Sequence, residues 1–131
     1  MSFSINHLRL AFTAICSTLS WAFGGFDMLF TALLFLMVFD YFSGLLVAIH
    51  KRELSSIKGF KGISKKLMIL TIVAVSNIID VAIIGSGNMC RTIAIAFYSA
   101  NETISILENA SILGLPLPKK LKAILEQFKN G

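Results

Sequence analysis

The sequence predicts an all-α integral membrane protein: a small bundle of about four transmembrane helices, assembling into an oligomer, with residues 1–131 forming one membrane domain. Three observations carry this reading. Hydrophobic residues make up 56% of the 131 and charged residues only 15%, too little polar surface to clothe a water-soluble domain of this size. The apolar residues fall in long continuous runs, which suits helices and excludes the alternating strands of a β-barrel. Lys and Arg collect in one loop and one tail, the pattern of cytoplasmic segments.

The first apolar segment covers residues 3–23 and is the least apolar at its start, where His7 and Arg9 lie. It lacks the lysine-rich start of a signal peptide and belongs to the mature protein on this reading. Gly24–Asp27, "GGFD", is a tight turn, since glycine tolerates positive φ. The second segment, 28–49, is long enough at ~1.5 Å per residue to cross a bilayer core of ~30 Å. A basic loop, 50–66, holds six of the 12 Lys and Arg residues: Lys51, Arg52, Lys58, Lys61, Lys65 and Lys66. Its "GFKGISKK" lacks the order of a phosphate-binding loop and is expected to be flexible. The third segment, 67–84, ends at a second glycine turn, "GSGN". The fourth, 91–113, stops at "GLPLP", where two prolines end a helix. The tail, 119–131, carries four more basic residues, among them Lys119, Lys120 and Lys122.

These lysines and Arg52 are the expected contacts to anionic lipid headgroups and the determinants of topology. A net charge of +5 in so apolar a chain favours lipid over nucleic acid as the anionic partner. Four spans with both termini in the cytoplasm satisfy the distribution. The rival has three spans and a first segment lying flat on the membrane.

The polar residues inside the apolar runs are the candidate functional residues. Asp40 stands in the middle of "LLFLMVFDYFSGLLVAI", where a carboxylate costs about 2.5–3.5 kcal/mol to insert. Such a group faces protein or water rather than lipid. With the first turn centred near Gly25, Arg9 sits at the depth of Tyr41, so Arg9–Asp40 is a candidate ion pair. With the other turns centred near Ile57 and Gly87, Glu102 reaches a similar depth. In the fourth segment Asn101, Glu102, Ser105, Glu108 and Asn109 recur at helical spacing opposite an apolar face. That stripe suits an interfacial helix, or a pore wall and oligomer interface. Gly44 with Ala48, and Ala96 with Ala100, are small-xxx-small pairs that permit close helix approach.

Other chemistry is sparse. Cys16 and Cys90 form no CxxC or Cys/His cluster, so buried free thiols are expected and no metal site. His7 and His50 have no nucleophile motif beside them. No catalytic residue and no cofactor is expected. Buried carboxylates such as Asp40 and Asp80 would also suit a small ion-coupled transporter or channel subunit, and a non-conducting scaffold is a third class.

One resemblance narrows these. An apolar run ending in D-Y-x-x-G, a basic loop with S-S, and G-x-x-K-K leading into another apolar run make "TALLFLMVFDYFSGLLVAIHKRELSSIKGFKGISKKLMIL" similar to the core of the phage lysis and clostridial toxin-secretion holin family. "ETISILENASILGLPLPKKL" resembles that family's C-terminal part. The resemblance implies a homo-oligomeric pore in the bacterial cytoplasmic (inner) membrane, with a phage endolysin or a large toxin as passing cargo and no catalysis.

Overall fold

The computed structural model describes residues 2–130; Met1 and Gly131, the ends of the expected domain and tail, lie outside the described residues. Among the described residues all the regular structure is helical, with no strand. Helix α1 is Ser2–Phe23, α2 Met28–His50, α3 Ser56–Ile78 and α4 Met89–Ile112; α5, Lys119–Asn130, ends the chain. Helix α3 runs on without a break into a π-helical turn, Ile79–Ile84.

Each start has a local cause. Asp27 caps α2, its Oδ1 accepting from the Phe30 amide at 3.0 Å. Ser55 caps α3, accepting from the Lys58 amide at 3.5 Å. Helix α3 therefore begins eleven residues before its apolar run, and the stretch read as a flexible loop is helical from Ser56. The connection from α2 is only the short segment around Arg52, which takes the left-handed backbone (φ 55°). The basic tail is likewise helical. In α5, Leu121 and Ile124 stand three residues apart on one side of the helix, with Lys119, Lys120 and Lys122 exposed beside them.

Two helical stretches, Met28–His50 and Ser56–Ile84, are long and apolar enough to cross a membrane. They pack with α4, and the α2–α4 contact is the most extensive in the molecule. The core is small. Phe30, Leu33 and Met37 on one face of α2 meet Val73 of α3 and Ile95 of α4. Phe23 of α1 stacks on Phe30 with ring centroids 4.9 Å apart. Most large apolar side chains, including Phe35, Phe39 and Phe42, point outward. So broad an apolar exterior is a lipid-facing surface, since in water it would drive aggregation.

Helix α1 does not join the bundle along its length. Residues 4–19 are exposed, and only its last turn is held. There the Asn77 amide of α3 donates to the Trp21 and Ala22 carbonyls at 3.1 and 3.0 Å. Gly24 closes this joint for two reasons: its φ is +79°, and a Cβ would lie 2.5 Å from Asn77 Oδ1 and 2.7 Å from Arg91 Nε.

Candidate functional site: two buried charge clusters

The bundle holds one polar cluster at each half. At the half where the glycine turns lie, Arg91 at the start of α4 is 2% exposed and makes four side-chain hydrogen bonds. Its guanidinium grips Asp27 with both ends, Nη1 to Oδ2 at 2.7 Å and Nη2 to Oδ1 at 3.1 Å. It also donates to the Phe23 and Gly25 carbonyls and lies 5.9 Å from the Phe30 ring centroid. This clasp ties the α1–α2 turn to α4. Asn88 makes no side-chain cap for α4. Asp80 does so from the π-turn, accepting from the Cys90 amide at 3.0 Å and the Arg91 amide at 2.9 Å. The widened turn aims this buried carboxylate at the positive end of α4.

Asp27 lies outside the spans. Hydrogen bonds from Arg91, then from the Phe30 amide, hold its carboxyl below the ordinary value of 3.8. A depressed acid contributes stability above its unfolded-state value and loses it as pH falls through the folded value. The clasp is therefore expected to be insensitive to pH between 7 and 5 and to weaken below about pH 4. Unfolding midpoints in detergent should show a low-pH loss in the parent that is smaller in Asp27→Asn; parallel curves for the two would refute the assignment.

The second cluster lies in the other half. Lys66 of α3 places its Nζ 2.7 Å from Asp40 Oδ2 and 2.8 Å from Glu102 Oε2. All three side chains are less than one-fifth exposed. Asn109 extends the network, donating to Ser43 Oγ at 2.8 Å and to Asp40 Oδ1 at 3.5 Å. Two carboxylates thus share one ammonium. No buried side-chain nitrogen or oxygen lacks a hydrogen bond among the described residues.

The structure places the expected site residues as follows. Asp40, Glu102 and Asn109 come together, and Ser105 borders them. Asn101 and Glu108 are exposed on α4. The ion-pair partner of Asp40 is Lys66, not Arg9, which is exposed on α1. The reason is the early start of α3, which brings Lys66 into the bundle while α1 stands apart. Lys66 thereby leaves the set of lipid-facing lysines. Lys51, Arg52, Lys58, Lys61, Lys65, Lys119, Lys120 and Lys122 are all exposed. Lys58 pairs with Glu53 at 3.8 Å, a surface contact of little energetic weight. Gly44 faces α4, where an added Cβ would sit 3.8 Å from Asn109, and Ala48 is half-buried on the same side. Ala96 is exposed and Ala100 half-buried. Cys90 is half-buried and Cys16 is exposed rather than buried; both thiols are free.

Between the lower halves of α2 and α3 a groove of about 1180 Å³ leads down to this cluster. Tyr41 leans across it onto the glycine face of α3, with its hydroxyl 3.2 Å from where a Cβ on Gly59 would be.

Charged networks enclosed by helices whose outer surface is apolar define an all-helical membrane protein. The chain belongs to the bacteriophage holin family, whose profile matches residues 17–130. It is 46% identical over 126 residues to an uncharacterized protein of Listeria monocytogenes, covering 95% of this chain and 89% of the relative. It is 36% identical over 126 residues to an uncharacterized 14.9 kDa protein of Clostridium perfringens, covering 96% of each. Uncharacterized protein YtkC of Bacillus subtilis is 36% identical over 114 residues, 87% of this chain and 84% of the relative. No solved structure matches the chain.

Proposed function

We propose that this protein is a pore-forming holin. It oligomerises in the bacterial cytoplasmic membrane and opens a passage for a folded endolysin or a large toxin, without catalysis. The observation that carries the reading is the family match over residues 17–130. The buried clusters give it a physical form. Ion pairs between helices hold α2, α3 and α4 together, while the exposed Asn101 and Glu108 of α4 offer polar surface to a shared lumen. Four crossings with both termini inside keep the lysines of the α2–α3 connection and of α5 at anionic headgroups, each worth about 1 kcal/mol near the surface.

The test is release of graded cargoes from liposomes holding the purified protein. Abrupt escape of folded proteins is the expected result. Saturable, gradient-driven flux of a small solute alone would replace this reading with an ion-coupled carrier, which the carboxylate pair on Lys66 also suits. Retention of everything, with the protein inserted and oligomeric, would leave a scaffold. Glu102→Leu is expected to insert normally and to release less cargo than the parent.

A further inference from the structure

The charge balance of the inner cluster and the isolation of α1 fit each other. Asp40 and Glu102 share the single ammonium of Lys66, so the groove floor carries one carboxylate more than it has cations. The other cations near the groove leave that excess in place. Lys58 is paired with Glu53, and Lys65 is exposed at the rim. Meanwhile Arg9 makes no ion pair among the described residues and stands on an exposed helix between apolar Ile5, Leu8 and Phe12 and polar Asn6 and Thr13.

Register brings the two to one level. The clasp fixes the α1–α2 turn and the start of α4 at the same end. Counting from it at ~1.5 Å per residue, Arg9 lies about 22 Å back along α1, Asp40 about 19 Å along α2 and Glu102 about 17 Å along α4. The rest of α1 towards its N-terminus matches the groove in length. At ~1.5 Å per residue, residues 4–9 cover the same depth as residues 42–47, where the groove opens beside α2 and Tyr41 covers Gly59 and Gly62. The chain's own α1 does not reach the groove, because its last turn is held on α3 by Asn77.

We propose that the groove between α2 and α3 receives the N-terminal half of α1 from a second copy of this chain, with Arg9 completing the Asp40–Lys66–Glu102 cluster. The pairing rests on the pore reading for its purpose but not for its measurement. It is heterologous, one helix of each copy entering the groove of the next. Such contacts form rings when the rotation closes, and open chains when it does not.

Cysteine pairing across copies tests it. In a background with Cys16→Ala and Cys90→Ala, Asn6→Cys and Ser105→Cys are placed on separately tagged chains, co-expressed in membranes and oxidised. The two positions lie within about one helical turn of each other in depth, three residues beyond Arg9 and Glu102. A disulfide-linked pair carrying both tags is expected, and none when Ser105→Cys is replaced by Phe42→Cys, at a similar depth on the outer face of α2. Adding Arg9→Leu should lower the linked yield about tenfold, the size of one lost charge pair. No mixed pair, or closure only within single chains of the double variant, would overturn the proposal, as would a yield indifferent to Arg9. Crosslinking with no cargo release would uphold this interface while refuting the pore; release without crosslinking would do the reverse.

Discussion

Lys66→Leu is expected to cost the bundle about 3–5 kcal/mol, because it strips the cation from two buried carboxylates at once. Asp40 and Glu102 lie at 2.7 and 2.8 Å from the Lys66 ammonium, and no other cation pairs with them among the described residues. Left together they must take up a proton or draw in water, and either outcome loosens the α2–α3–α4 contact. Denaturation in detergent should show the loss as an earlier midpoint. The sharper check is rescue. Removing the acids as well, in Lys66→Leu with Asp40→Asn and Glu102→Gln, should restore most of the stability, because no unpaired charge is left. Glu102→Gln alone leaves a neutral Lys66–Asp40 pair and is expected to be mild. A Lys66→Leu protein as stable as the parent would refute this account of the cluster.

Arg91→Met should have the second large effect, about 3 kcal/mol or more, since hydrogen bonds to charged groups are worth about 1.5–3 kcal/mol. The variant frees Asp27 and the Phe23 and Gly25 carbonyls together. The consequence is local before it is global. Without the clasp, the two Asn77 bonds and the Phe23–Phe30 stack are left to hold the end of α1, so amide exchange over Phe23–Asp27 should quicken while Leu33 and Val73 keep their protection. Arg91→Lys keeps the charge but loses the two-pronged grip and should fall between. Unchanged exchange at the turn in Arg91→Met would show that the clasp is not what holds it.

Much of the fold was legible because bilayer helices announce themselves by length. The run after Asp27 and the glycine turns place α2, the end of the π-helical continuation of α3 and both ends of α4 within a residue or two. The start of α3 was not legible in the same way. Six basic residues in 17 look like a loop when counted, yet Lys58, Lys61 and Lys65 recur every three or four positions, and Ser55 stands where a cap belongs. Without that helix the partner of Asp40 stays hidden, since Lys66 in a loop belongs with the headgroup lysines. Depth counting brings Asp40 and Glu102 to one level, but only with the α2–α3 turn centred at Ile57, which lies inside α3; the turn itself falls at 51–55. The clasp had a weaker trace. Asp27 and Arg91 each adjoin a glycine turn at the same face, with opposite charge. The π-turn left none, because Asp80 acts through backbone amides that no side-chain pattern records.

The inner network also fixes an order of events during synthesis. Lys66 is made 26 residues after Asp40, and Glu102 a further 36 after Lys66. At about 5–20 residues per second, Asp40 waits roughly 1 to 5 seconds for its counter-charge. The long apolar run of α2 can carry a solitary acid into the bilayer for that interval. Helix α4 is less apolar and arrives last, when a lysine is already in place to receive Glu102. A nascent chain cut after α3 therefore already holds the Asp40–Lys66 pair, whereas Glu102 and the Arg91 clasp wait for α4.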